Sequence, residues 1–258
     1  MNKRAFRAIT GVVRQITPPI LFNAMKIAVG FRSDPKPYVP EAHRAANYQG
    51  LTTPHNARPL HVGRFSEIYE RFQPLDPFVA LNVRRYRQYN LCYFANMCRD
   101  IPGDFAMFGI SFGVAPRVVY DFVDFPRLSK TLHLVDPFMG INSFERNEKQ
   151  DHYNADPQYV LDQYPKDAPI KIYRAAIPAA LPLGKADRFS FIHLDTNDPQ
   201  SEALSLPYLY SALSSGGAMI LDSYALFNGQ FEVYDPVLRK FGAEPLWLPS
   251  GQGVIMKP

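Results

Sequence analysis

The sequence predicts an α/β domain: a doubly wound, mostly parallel sheet closed by a C-terminal antiparallel hairpin, preceded by a helical N-terminal extension. Three observations carry this expectation. From Gly103 onward, short apolar runs alternate with helix-like segments. Glycines punctuate the first strand-to-helix passage, and the last two apolar runs lie close enough in sequence to pair with each other. Apolar runs without in/out alternation mark strands buried on both faces, and intervening helices mark the crossovers that parallel strands need.

The elements follow in order. FAMFGI (105–110) reads as a strand, a turn at Gly113 leads into a helix over 114–124, and TLHLVDPF (131–138) is the next strand. A helix over 156–164 precedes strands at 170–177 and 189–196. A helix near 201–214, a strand at 218–225 and a helix at about 231–241 come next, and strands at 244–249 and 253–257 close the chain. Upstream, residues 64–73 and 76–99 read as helices that stop at Pro102-Gly103. The chain thus divides into a helical, lid-like extension over 1–99 and an α/β domain over 100–258.

Composition narrows the function classes. The net charge of +4 is concentrated at the N-terminus, where residues 1–33 carry Lys3, Arg4, Arg7, Arg14, Lys26 and Arg32 and no acid. Removing those six charges leaves about −2 for the remainder, which argues against a nucleic-acid-binding body. Phe6, Ile9, Val13 and Ile16 share a helical face in that arm. Two readings stay open for it: packing on its own domain or in a homo-oligomer, or peripheral contact with an anionic membrane at the inner face. No apolar run of spanning length occurs, and Cys92 and Cys98 read as reduced thiols of a cytoplasmic protein. Residues 31–60 read as an irregular connection. Its His55, with the nearby His61, is either solvated or part of a lid, and Arg84, Arg85 and Arg87 read as a solvated helix face.

The Gly109 and Gly113 turn lets backbone approach a ligand where a Cβ would obstruct it. It is not the dinucleotide glycine pattern. Asp136, ending the next strand, is placed to accept both ribose hydroxyls of a nucleoside; a helix cap or surface loop is its other reading. No phosphate cradle or P-loop lysine is present, which favours a nucleoside with a non-phosphate tail over ATP or NAD. Asp195 and Asp222 end two further strands, where sheets of this class gather their chemistry.

The series IPGDFAMFGISFG, LHLVDPFMGI, FIHLDTND and SSGGAMILDSY, closed by LPSGQGVIMK, resembles the macrocin O-methyltransferase group of class I S-adenosylmethionine-dependent methyltransferases, from about residue 85 to 258. The resemblance implies a Rossmann-like fold and O-methylation of a hydroxyl on a sugar, glycan or related small molecule. It implies that Gly109 and Gly113 line the methionine part of the cofactor, that Ser111 touches its carboxylate, and that Asp136 takes the ribose. Phe138 and Ala176 would lie near the adenine, and Asp195 would also face the cofactor. In that group, carboxylates at the Asp195 and Asp222 positions hold a divalent ion, typically Mg2+, that acidifies a diol hydroxyl. Here the patterns are Asp195-Thr-Asn197-Asp198 and Asp222-Ser223-Tyr224, so a site from Asp195, Asn197 and Asp222 would carry less charge. Metal-assisted and metal-free reactions both stay open.

Asp198 is the first expected base and His193 the second, with a core imidazole as the alternative for His193. Tyr224 and Gln252 are expected to shape the acceptor pocket. Met107 stands where the group has an acid for the cofactor amino group, and Asp104 or a backbone carbonyl is the expected replacement. A non-catalytic scaffold that keeps the fold is the competing reading, favoured by Met107, Asn197 and Ser223.

Overall fold

A computed structural model describes residues 57–75, 84–139, 156–184, 188–225 and 230–258. All of them belong to a compact unit running from Arg44 to Pro258. The basic arm over 1–33, His55 and most of the irregular connection lie outside the described residues.

Helices α1 (Arg58–His61), α2 (Arg64–Phe72) and α3 (Arg85–Met97) precede strand β1 (Asp104–Phe108) and helix α4 (Val114–Phe122). Strand β2 (Leu132–Asp136), helix α5 (Pro157–Leu161), and strands β3 (Ile170–Arg174) and β4 (Phe189–Leu194) follow. Helix α6 (Pro199–Ala212) runs directly into β5 (Leu213–Leu221); α7 (Gln230–Leu238), β6 (Leu246–Trp247) and β7 (Gly253–Met256) complete the chain. Among the described residues, no helix is long and apolar enough to cross a membrane.

The seven strands form one sheet in the order β3-β2-β1-β4-β5-β7-β6. Strands β1 to β5 are mutually parallel, while β7 runs antiparallel to both β5 and β6. The predicted hairpin is present, and β7 is its inner strand. The direction of winding reverses between β1 and β4, and in open α/β sheets ligands bind beyond the strand ends at such a reversal.

Side-chain alternation along the strands builds a core on each face. Phe105 and Met107 of β1, with Leu132 and Leu134 of β2, pack against Phe65, Ile68, Leu91, Cys92 and Val118 from α2, α3 and α4. Ala106 and Phe108, with Ile192, Leu194 and Met219, pack against Leu206, Leu209, Tyr234 and Leu238 from α6 and α7. Complete burial of such side chains contributes roughly 1.5–3 kcal/mol each. Helices α2 and α3, which the sequence pattern places in the extension ending at residue 99, thus cover one face of the sheet. Both cysteines are free and buried on that face. Burial pushes the Cys92 thiol up, and that of Cys98 up to about 11, so neither is poised as a thiolate.

Strand β5 begins earlier than the sequence pattern predicts, because Gly216 and Gly217 exchange main-chain hydrogen bonds with Lys257 rather than forming a turn. Helix α6 also starts earlier. Pro199 occupies its first turn, and Asp198 caps it by accepting from Ser201 N at 3.2 Å.

Candidate active site

The C-terminal ends of β1, β2 and β4 carry left-handed residues that are not glycine: Ser111 (φ 50°), Phe138 (φ 51°) and Asn197 (φ 55°). Such conformations cost free energy and persist only where surrounding contacts enforce them, which is common beside ligand sites. Of these, Ser111 helps to line a cleft of about 570 Å³, counting its mouth. Tyr69, Gln73, Arg84, Arg87 and Gln88 from the α2–α3 side form one wall. Residues 109–112, 114 and 115 of the β1–α4 turn form the other, and Asp195 and Asp222 line it from the ends of β4 and β5.

The glycines of this turn answer first to the protein's own packing. A Cβ on Gly109 would lie 2.0 Å from the main-chain oxygen of Asp195. A Cβ on Gly113 would meet Gln163 Oε1 and Val160 Cγ1 at 3.0 Å. Asp136 ties the turn to β2: one carboxylate oxygen accepts from Ser111 N at 2.9 Å and the other from Phe138 N at 2.7 Å. A carboxylate has roughly four lone-pair positions, so two remain for hydroxyl donors.

Of the residues expected at the site, Gly109, Ser111, Asp195 and Asp222 line the cleft, and Asp136 joins it through Ser111. Phe138 is buried in the core, and Ala176 is exposed, its carbonyl accepting from Ala180 N at 2.9 Å. Asp104 pairs with His133 Nε2 at 3.0 Å and Thr131 N at 2.8 Å at the opposite end of β1. It cannot replace the acid missing at Met107. Gln88 supplies an acceptor the sequence did not suggest: its Oε1 is buried without a hydrogen-bond partner, on a side chain that lines the cleft. An ammonium group would satisfy it.

Arg87, expected on a solvated face, is buried, as is Arg85. Arg85 lies over the Tyr69 ring at 4.8 Å and hydrogen-bonds Leu60 O at 2.8 Å. Arg87 Nη2 donates to Asp222 twice, to the carboxylate Oδ2 and to the main-chain oxygen. Gln252 Nε2 donates to the other carboxylate oxygen, Oδ1, at 2.7 Å. Burial lowers the Arg87 pKa to about 10, with the charge of Asp195 opposing the change, so the guanidinium stays charged at neutral pH.

His193 lies on the same sheet face, with Nε2 3.3 Å from Asp222 Oδ1 but without a hydrogen bond. Burial and then the charge of Arg87 drive its pKa down to about 3, leaving a neutral imidazole of little basicity. Asp195 differs: burial raises its pKa above the ordinary carboxylate range, against the opposing charges of Arg87 and Arg84. Glu202 holds the loop after β4 in place, accepting from Thr196 N and Oγ1 and from Tyr234 OH, each at 2.7 Å. Tyr224 donates to Asp235 Oδ1 at 2.8 Å on α7, and Gln252 braces Asp222, so both act behind the cleft.

His193, Asp195 and Asp222 offer ligand atoms within 4.8 Å of one another. Their surroundings do not suit a divalent ion. Both carboxylate oxygens of Asp222 already receive N–H donors, one of them a guanidinium, and Asn197 and Ser223 bring no charge.

Asp198 spends both carboxylate oxygens on Ser201, accepting from its N at 3.2 Å and its Oγ at 2.6 Å. Removing this cap is expected to cost about 1 kcal/mol of stability. Asp198→Ala should therefore lower the denaturation midpoint while leaving turnover within a few-fold. A loss of about 10²-fold in kcat would return the base role to it.

No protein-family model matches the sequence, and no curated protein matches it. Solved structures match in fold. The O-methyltransferase NovP superposes with a TM-score of 0.56 at 18% identity, over 66% of this chain and 79% of its own. The calicheamicin methyltransferase CalS11 gives 0.53 at 13% identity, over 80% and 98%. The S-adenosylhomocysteine-bound Podospora anserina methyltransferase PaMTH1 gives 0.50 at 15% identity, over 75% and 87%. The chain has a methyltransferase fold. The likeness is one of architecture, and the chemistry rests on the side chains around the cleft.

Proposed function

We propose that this protein is an S-adenosylmethionine-dependent O-methyltransferase acting on a hydroxyl of a sugar or related small molecule, akin to the macrocin O-methyltransferase group. The observation that carries this reading is Asp136, held at the end of β2, the strand next to β1, by Ser111 N–H and Phe138 N–H with acceptor positions to spare for a ribose diol. Gln88 Oε1 adds an acceptor for the amino group where the sequence lacks an acid at 107. The sugar acceptor is supported by the company the fold keeps, since CalS11 is a TDP-rhamnose 3'-O-methyltransferase.

The cofactor, when bound, supplies a methyl group on a sulfonium; the acceptor oxygen forms the new C–O bond as the C–S pair leaves on sulfur. The protein's part is to orient the hydroxyl and take its proton. Asp195 is the group for the proton. It lines the cleft, sits beside the β1 turn and has a pKa raised toward that of a useful base. Asp198 and His193 suit this task less, being a helix cap and a weakly basic group within the sheet.

Calorimetric titration of S-adenosylhomocysteine should show binding in the micromolar range, on the order of −8 kcal/mol. Asp136→Ala should weaken it by roughly 1.5–3 kcal/mol, the worth of hydrogen bonds to a charged group. Absence of binding by the wild-type protein would end this reading. Binding without turnover on a panel of sugar acceptors would favour a scaffold instead.

A further inference from the structure

The Arg87–Asp222 pair poses a question that methyl transfer alone does not answer. Three potential ligands, His193, Asp195 and Asp222, converge within 4.8 Å, yet a guanidinium is driven into the group from the facing helix α3. We propose that Arg87 is the resident cation of this site: it supplies from the protein the positive charge a divalent ion would bring to the acceptor, and the site binds no metal. The inference rests on the methyl-transfer reading for what the charge is used for, but not for the exclusion of metal.

The surrounding hydrogen bonds fix the arrangement. Gln252 is fully buried, and its Oε1 accepts from Asn90 Nδ2 at 2.9 Å and from Ser250 Oγ at 2.8 Å. Those two donors orient the amide, so its Nε2 must face Asp222 Oδ1, which it does at 2.7 Å. Asp222 is thereby presented with a positive or donating group at each carboxylate oxygen and at its main-chain oxygen. Mg2+ would have to approach these oxygens to about 2.1 Å, beside a guanidinium that already occupies the carboxylate and repels a second cation. Asn90 belongs to α3 and Gln252 immediately precedes β7, so the arrangement joins segments distant in sequence rather than one loop.

Charge count points the same way. Asp195 and Asp222 against Arg87 and Arg84 leave the lining with no net negative charge, a poor trap for a divalent ion. Arg87 lines the cleft together with Asp195. There its charge opposes the negative charge that develops on the acceptor oxygen as Asp195 takes the proton, with no ion to be acquired or lost.

Mn2+ titration, followed by the electron paramagnetic resonance signal of the free ion, tests the exclusion directly. Wild-type protein, with and without S-adenosylhomocysteine, is expected to leave the signal unchanged. Stoichiometric binding that disappears in Asp222→Asn would overturn the proposal. Arg87→Ala bares the carboxylates and is expected to gain a Mn2+ site that Arg87→Ala/Asp222→Asn loses again. Should Arg87→Ala fail to fold, Arg87→Lys keeps the charge and is expected to remain metal-free, as the wild type does. Turnover decides the use of the charge: it should be indifferent to EDTA and fall by roughly 10²-fold in Arg87→Ala, the usual worth of one fixed group at a developing charge. A requirement for Mg2+ would overturn the proposal. Loss of S-adenosylhomocysteine binding with an unchanged Mn2+ result would instead remove only the methyl-transfer reading.

Discussion

Asp195→Asn is expected to lower kcat by about 10²–10⁴-fold while leaving S-adenosylhomocysteine affinity within a few-fold, because a general base is worth that much and little else is disturbed. The substitution is nearly isosteric, and Arg87 keeps Asp222 as its partner, so no buried charge is stranded. Burial holds the Asp195 carboxyl above the ordinary carboxylate range. Turnover should therefore fall on the acid side at a pH higher than an exposed aspartate would give, since the base is lost as the carboxylate takes up a proton. Steady-state kinetics beside calorimetry separate the possibilities. A kcat unchanged by the substitution would remove Asp195 from the chemistry. Equal loss of kcat/KM and of cofactor affinity would assign it to the cofactor side, the other role the sequence pattern suggests.

Apolar pattern made the sheet legible: FAMFGI, LHLVD and FIHLD read as strands buried on both faces, and residues 105–108, 132–136 and 191–194 of them are strand in the structure. The start of β5 was less so, because Ser214-Ser-Gly-Gly217 has the composition of a turn and becomes a strand only through its long-range partner Lys257. The α3 wall of the cleft was illegible for a different reason. Arginine and glutamine are usually exposed, and nothing local marks Arg87 and Gln88 as buried. The one signal was their phase: Gln88 shares a helical stripe with Leu91, Cys92 and Ala95, all at or near complete burial. Asp198 shows the converse. At the end of an apolar strand a catalytic acid and a helix cap look alike, and here the Pro199 that follows, with Ser201, favours the cap.

Gly109→Ala is expected to be the most destabilising small substitution in the site, costing more than about 4 kcal/mol, a range that requires a specific structural cause. Two causes act together. The residue sits at φ 74°, where a Cβ crowds its own carbonyl at a cost of roughly 1–2 kcal/mol. The added carbon would also stand 2.0 Å from Asp195 O, 2.4 Å from Asp195 C and 2.8 Å from Thr196 N. All three are main-chain atoms, so no rotamer change relieves the contact, and the ends of β1 and β4 would have to part where the sheet reverses its winding. Domains of this size hold roughly 5–15 kcal/mol in total, so the variant should approach the limit of folding. Gly242→Ala provides the control: it has φ 66° and a Cβ there would meet no atom within 4 Å, so only the backbone cost applies. Urea denaturation of the two variants isolates the close approach of β1 to β4. Equal midpoints would mean that this approach carries no weight, whereas a large gap, with cofactor binding lost only in Gly109→Ala, places the glycine's role in holding Asp195 against the β1 turn.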